Sequence, residues 1–328
     1  MTAVEAGPAT AAAVRTALRA AVDTLPVPAR TVAGYHHGWL DERGEPADAP
    51  AGKSIRPAFV LAAARATGRG GDPVPGAVAV ELVHNFSLLH DDVMDGDLTR
   101  RHRPTAWAVF GVGPAVLAGD ALLTLALDLL RPHDAAAAAL AAAVQELIDG
   151  QFADLAFEER ADVGLDECLA MVNGKTAALL GCSTALGAIL AGAPAEQVRM
   201  LERGGRELGL AFQIVDDLLG IWGDPAVTGK PVGADLARRK KSIPVVAALT
   251  SGTPEGAELA ALFAEPGELG PAAVDRAARL VAVTGARAWC QDRIGELHDR
   301  AAQRIRTACP GDTGELLALA RRVSERRS

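Results

Sequence analysis

The sequence predicts an all-α fold, and three observations carry that prediction. Aromatic residues make up only 4% of the 328 residues. The apolar–polar alternation of β-branched residues that marks a half-buried strand is almost absent. Apolar residues recur instead at three- and four-residue spacing over long stretches, the period of a helix with one buried face. Half the chain is hydrophobic (49%) and 23% is charged, so a sizeable core can be buried.

The periodic stretches follow one another with break signals between them. Residues 11–22 open the series. Asp48-Ala-Pro50 and Gly68-Arg-Gly-Gly-Asp-Pro73 interrupt the chain before 77–90. Gly111-Val-Gly-Pro114 precedes 115–130, and Pro132 separates it from 135–154. The stretch 165–190 runs to Gly192-Ala-Pro194, and 197–219 runs to Gly223-Asp-Pro225. Beyond Pro266-Gly267 come 272–283, 286–306 and 314–323. The alanine runs, such as 135–139, reflect the best helix former and carry no functional weight. Ten or more helices with short loops and no sheet are expected. No low-complexity linker separates two halves, so residues 1–328 read as one domain, with 1–10 expected to be flexible.

Composition narrows the function. Thirty-three basic against forty-one acidic residues give a net charge of −8, which argues against a nucleic-acid binder. The cysteines, Cys168, Cys182, Cys290 and Cys309, form no CxxC pair and read as free thiols of a reducing compartment, the cytoplasm. The first thirty residues lack a basic start followed by an apolar block, so no signal peptide is expected. No membrane span is expected either. The most apolar candidate, 205–222, is interrupted by Arg206, Glu207, Gln213, Asp216 and Asp217.

Two acidic clusters each follow an apolar helical run. In His90-Asp91-Asp92-Val93-Met94-Asp95, Asp91 and Asp95 are four apart and project side by side, with Asp92 next to them. Three carboxylates there repel one another. A hard, oxygen-seeking cation such as Mg²⁺, shared with phosphate oxygens, relieves that repulsion. One such cluster by itself is more often a decorated helix end. A second, Phe212-Gln213-Ile214-Val215-Asp216-Asp217, changes the balance, because two acid pairs ending core helices can face each other across a bundle. The second cluster has Gly220 where a third acid would complete the spacing; Asp224 and Asp235 follow nearby.

The cations are distributed unevenly. Lysine occurs only at Lys53, Lys175, Lys230, Lys240 and Lys241, and the first three each follow a glycine. A compact ammonium suits close approach to a phosphate where a planar guanidinium does not; the bland alternative is chance clustering. Lys53 and Arg56 are three apart, one face if helical, and Arg100-Arg101 follow the first acidic cluster. Carboxylates with a metal, facing several cations, suggest a diphosphate site; a cation group apart from the metal suggests a second diphosphate. Residues 47–54 also fit the loose phosphate-loop pattern, but that pattern needs a preceding strand and a βαβ setting, and neither is predicted here.

These residues resemble the trans-isoprenyl diphosphate synthases, the polyprenyl synthetases. From about Gly52 to Pro244 the motifs stand in order: GKSIRP, HNFSLLHDDVMDGDLTRRHRPT, LAGDALL, GKTAALL, FQIVDDLLGIWGDPAVTGKPVGADL and KKSIP. The resemblance implies an all-α bundle around a deep central cavity, forming a homodimer. It implies that Asp91, Asp92, Asp95, Asp216 and Asp217 hold Mg²⁺, three ions with substrate bound. Arg100, Lys175, Thr176, Gln213, Lys230 and Lys240 match positions that touch an allylic diphosphate. Lys53, Arg56, His84 and Arg101 match positions that grip isopentenyl diphosphate. Phe86, an aromatic shortly before the first acidic motif, with the small Ser87 beside it, looks like the chain-length arrangement of synthases that make geranylgeranyl diphosphate.

Gly220 departs from the family pattern. Either the remaining pair suffices, or metal binding is weakened. Two other readings stand beside the synthase. A class I terpene cyclase shares the acidic cluster and the α-fold, but no Asn/Ser/Glu metal motif is found and aromatics are scarce. A non-catalytic partner subunit has Gly220 as its only support.

Overall fold

The structure, a computed structural model, describes residues 8–49, 52, 54–223, 233–265 and 267–324. The helices are, in chain order, α1 Pro8–Asp23, α2 Val27–His36, α3 Ile55–Ala66, α4 Val74–Met94, α5 Ala106–Phe110, α6 Val112–Leu130, α7 Asp134–Glu159 and α8 Leu165–Val172. They continue with α9 Ala178–Leu190, α10 Ala195–Trp222, α11 Ala234–Ala237, α12 Ile243–Leu249, α13 Pro254–Ala264, α14 Pro271–Val283, α15 Ala286–Ala308 and α16 Gly314–Ser324.

Every stretch with helical periodicity is helical, with ends displaced by a few residues. Residues 8–10, expected to be flexible, form the first turn of α1, and 1–7 lie outside the described residues. Three expectations need correction. A small antiparallel hairpin exists, β1 Thr99–Arg100 with β2 Arg103–Pro104. The stretch 165–190 is not one helix, because a π-helical turn, Asn173–Ala177, joins α8 to α9. Several helices lack a periodic signature, and in α3, α12 and α13 a proline in the first turn reads as a break. Proline is tolerated there, where its missing N–H would have no helical partner.

Packing divides the chain into two compact units. One comprises Met1–Val144, Cys182–Glu202 and Ala308–Leu316; the other comprises Gln145–Gly181, Arg203–Thr307 and Leu317–Ser328. Each draws on separate stretches of sequence, so no linker marks the division.

In the first unit α4 is central and packs on α1, α3 and α6. Ala77, Val78, Ala79, Val80, Leu82 and Val83 point in all directions around α4, and all are buried. A helix that is apolar all round belongs in a core. α9 lies directly on α3: a Cβ at Gly187 would strike the Val60 carbonyl and sit 2.9 Å from the Ala64 nitrogen. Gly187→Ala must push backbone apart and is expected to destabilise the protein by roughly 3 kcal/mol. Urea denaturation checks this, and an unchanged midpoint would contradict the packing.

α6, not 205–222, is the most apolar long helix. It is long and apolar enough to cross a membrane by length and composition, although little of it is buried. Asp120 and Asp128 interrupt it, and Val112 and Leu117 stand exposed on it.

Two clusters of buried residues lie in the second unit. Phe157, Met171, Ile214, Ile243, Val246 and Leu297 form one. Ile221, Leu236, Val245, Leu259 and Val281 form the other. α10 and α12 contribute to both, which fixes the C-terminal end of α10.

Candidate active site

The first acidic cluster occupies the last turn of α4, where the helix dipole is negative and carboxylates are disfavoured. Its members differ. Asp91 is half-buried and Asp95 exposed, whereas Asp92 is buried. Arg100 Nε donates to Asp92 Oδ1 at 2.7 Å, and Asp92 Oδ2 has no hydrogen-bond partner among the described residues. Burial pushes the Asp92 carboxyl up to about 6, opposed by Arg100. Adjacent residues lie about 100° apart on a helix, so Asp92 turns inward while Asp91 and Asp95 stay accessible.

Behind this end lies a group of basic side chains. Arg56 and His84 are half-buried, and burial followed by the charges of Arg56 and Arg101 holds the His84 imidazole well below its usual range and so neutral. His36 is held low in the same way, by burial and then by His37, Arg101 and Arg100. Glu81 is the buried counter-charge: burial raises its carboxyl, Arg56 opposes that, and Ser54 Oγ donates to Oε1 at 3.2 Å. Arg56 Nε and Glu81 Oε2 lack hydrogen-bond partners among the described residues. Arg101 and His102 form the hairpin turn with φ of 53° and 62°, strained values for side-chain-bearing residues. Tyr35 Oη donates to the Pro104 carbonyl at 2.9 Å, Arg103 donates to the Tyr35 carbonyl at 3.2 Å, and the Arg103 guanidinium lies over the Tyr35 ring. Tyr35, His36, Asp92, Arg100, Arg101 and Thr105 line a small cavity here. The guanidinium groups of Arg100 and Arg101 at this cavity suit an anion.

Two turns up α4, Phe86 is buried with its ring edge-to-face on His90, centroids 4.7 Å apart. The His90 Nε2 sits 3.0 Å from the Val116 carbonyl of α6. Ser87 Oγ donates to the His84 carbonyl at 2.9 Å.

In the second unit, the π-helical turn carries Lys175 and Thr176. It meets α7 backbone to backbone, since a Cβ at Gly174 would lie 2.7 Å from the Glu146 carbonyl and one at Gly150 would strike the Lys175 nitrogen. Lys175 Nζ pairs with Asp154 Oδ2 at 2.6 Å. A relay starts beside it: Thr176 Oγ1 donates to Gln213 Oε1 at 2.9 Å, and Gln213 Nε2 donates to Asp217 Oδ1 at 2.8 Å. Asp217 Oδ2 accepts from the Ile243 N–H at 3.0 Å. Burial pushes the Asp217 carboxyl up to about 7, while the charge of Lys240 opposes it. Asp217 is buried, whereas its neighbour Asp216 is exposed. Each acid pair therefore has an accessible first member and an anchored second one.

The structure thus groups Asp91, Asp92, Asp95, Arg56, His84, Arg100 and Arg101 in one unit, and Lys175, Thr176, Gln213, Asp216, Asp217 and Lys240 in the other. Lys53, Lys230 and Asp224 lie outside the described residues. Sequence reasoning missed Glu81 and Asp154. Glu81 is a lone acid on a largely apolar helical stretch, a signal that the neighbouring Arg56 explains; Asp154, among other acids of α7, gives no such signal.

The accessible carboxylates Asp91, Asp95 and Asp216 offer oxygen alone, the donor set of Mg²⁺. Among the described residues no three Asp, Glu, His or Cys side chains converge as a closed cage. An ion that keeps its waters and takes phosphate oxygens needs none. The donors fit Mg²⁺ with a diphosphate.

The profile of the polyprenyl synthetase family matches residues 37–281. The chain is 52% identical over 283 residues to (2E,6E)-farnesyl diphosphate synthase of Mycobacterium tuberculosis, covering 83% of this chain and 78% of that protein. It is 51% identical over 275 residues to geranylgeranyl diphosphate synthase of the same organism, covering 82% and 79%. A crystal structure of polyprenyl synthetase from Streptomyces coelicolor superposes with a TM-score of 0.89 at 45% identity, over 94% of this chain and 96% of that one.

Proposed function

The chain belongs to the polyprenyl synthetase family and is an isoprenyl diphosphate synthase of the all-α isoprenoid synthase fold, and from this premise we propose that it condenses isopentenyl diphosphate with an allylic diphosphate, head to tail and with Mg²⁺, to give geranylgeranyl diphosphate. The observation that carries the reading is the first unit's pairing of acids at the negative end of α4 with a separate basic group, Arg56 and Arg101 beside the neutral His84.

Asp91 and Asp95 of one unit and Asp216 of the other would hold Mg²⁺ with the allylic diphosphate, and Asp92 and Asp217 anchor the two acidic groups from within. When bound, Mg²⁺ neutralises the diphosphate and stabilises the departing pyrophosphate, so the allylic C–O bond can ionise. Arg100, Lys175, Thr176, Gln213, Lys230 and Lys240 grip the same diphosphate, with Lys175 exchanging Asp154 for a phosphate oxygen. Lys53, Arg56, His84 and Arg101 seat isopentenyl diphosphate, whose double bond attacks the allylic carbon. The proton lost in the last step goes to the departed pyrophosphate. Scarce aromatics suit an aliphatic tunnel that need not steer cyclisation.

For product length, the buried Phe86, braced by His90 against α6, supports a fixed wall beyond Ser87. The relatives include both farnesyl and geranylgeranyl synthases, so the product is the point to measure. Pyrophosphate release is followed with isopentenyl diphosphate plus each allylic primer, with and without Mg²⁺, and the dephosphorylated product is weighed by mass spectrometry. A twenty-carbon alcohol is expected, and Phe86→Ser should lengthen it. A fifteen-carbon alcohol revises the product only, and an unchanged product from Phe86→Ser removes the wall. No reaction with any primer overturns the synthase, and consumption of the allylic substrate alone favours a cyclase. A homodimer in the cytoplasm completes the reading. Exposed Val112 and Leu117 on α6 support a second copy as cover, and the buried free thiols suit a reducing compartment.

A further inference from the structure

We propose that Glu81 is the resident anion of the isopentenyl diphosphate pocket, a positioning residue that holds Arg56 and Arg101 in the empty pocket and takes up a proton when the diphosphate replaces it. The inference rests on the synthase reading above and goes beyond it, since it makes substrate binding consume a proton.

Glu81 is buried on α4, three residues before His84. Ser54, ahead of α3, donates to its Oε1 at 3.2 Å from a left-handed backbone with φ of 42°. Arg56 of α3 and Arg101 of the hairpin turn their charges on it, and for both guanidiniums Glu81 is the largest favourable charge. Asn85 donates to the Glu81 carbonyl at 2.8 Å, and its side chain hydrogen-bonds both the Glu81 carboxyl and the His36 ring of α2. His84, on the same helix, stays neutral beside the two arginines.

The acid is not locked into an ion pair. Glu81 Oε2 and Arg56 Nε both lack a hydrogen-bond partner among the described residues. A structural pair in a core closes its hydrogen bonds, because the cost of desolvating two ions is offset only by good geometry. Here a carboxylate balances the arginines while a guanidinium donor stays open, which suits a site that awaits another anion. Burial already raises the Glu81 carboxyl in the empty pocket, and Arg56 opposes that. A diphosphate takes over the guanidiniums and adds negative charge of its own, which favours the neutral acid. The carboxylate then accepts a proton from solvent and remains as a neutral hydrogen-bonding group. Its proton affinity is higher with diphosphate bound, so binding takes up a proton and weakens as pH rises.

The test is calorimetric titration of isopentenyl diphosphate into the full-length protein, in two buffers of different ionisation enthalpy. It runs between about pH 7 and about pH 9, where the substrate's own phosphate, with a second pKa of about 6, is ionised. The wild type is expected to take up about one proton more per substrate than Glu81→Gln, and to lose up to about tenfold more affinity per pH unit. At about pH 9 the neutral isostere should bind at least as tightly as the wild type. Equal proton uptake by the two proteins overturns the proposal, and so does weaker binding by Glu81→Gln at every pH. Circular dichroism reports folding. If the variant fails to fold, infrared difference spectra of the wild type decide: a protonated-carboxyl band should grow in as isopentenyl diphosphate is added, and its absence sinks the idea. Arg101→Ala separates the two levels. If it leaves isopentenyl diphosphate binding unchanged, the synthase reading of this pocket falls and Glu81 with it. If it weakens binding while Glu81→Gln leaves the proton count unchanged, only the role of Glu81 falls.

Discussion

Asp91→Asn is expected to lower kcat/KM for prenyl transfer about 10³-fold, roughly 4 kcal/mol of transition-state stabilisation. The substitution keeps shape and removes charge alone. Asp91 stands half-buried in the last turn of α4, on the face it shares with Asp95, while Asp92 is turned inward to Arg100. Its charge stands at the negative end of a helix beside two other acids. Thermal stability should therefore hold or rise slightly while activity collapses. Opposite signs for stability and rate distinguish a ligand-holding acid from a structural one. Asp92→Ala should show the other pattern, with stability falling, because the buried side chain and its hydrogen bond from Arg100 are both lost. Steady-state kinetics and a thermal melt on the same preparation check both, and an Asp91→Asn enzyme of ordinary activity would remove the metal-holding role.

Arg101→Ala is expected to raise KM for isopentenyl diphosphate about 100-fold while KM for the allylic primer changes little, the loss of one or two charge-assisted hydrogen bonds to phosphate. Arg101 occupies a left-handed turn conformation that costs about 1 kcal/mol or more. Tyr35 and Arg103 hold the hairpin in that shape. A Cβ at Gly52 would lie 2.6 Å from Arg101 Nη2, so the guanidinium is lodged against the glycine that precedes Lys53. Burial and then the neighbouring Arg100 charge disfavour its ionised form until an anion binds. Removing Arg101 relieves that cost, so the variant should fold normally. Kinetics with each substrate varied in turn decide the matter: an equal rise in both KM values would sink the assignment of Arg101 to isopentenyl diphosphate.

Much of this protein was legible along the chain, because helix periodicity and break signals are local. The long helices, the ends of α4 and α10 where the acids stand, and the order of the motifs all follow from residues within a few turns of one another. Short helices opened by proline were lost because the same residue starts one helix and stops another. The hairpin was lost because its turn places Arg101 and His102 where glycine or asparagine would signal it.

What the chain could not reveal was which member of each acid pair points inward. Asp91 and Asp92 read alike, as do Asp216 and Asp217. Only packing distinguishes them, through Arg100 on the hairpin and the Ile243 N–H, twenty-six residues beyond Asp217. The Glu81 counter-charge, the Asp154 hold on Lys175 and the Asp235 carboxylate in the space beside Gly220 are likewise tertiary facts. Residue type and spacing determine which chemistry a helix end can offer. Desolvation and charge pairing, which decide which groups stay available, exist only once distant segments have met.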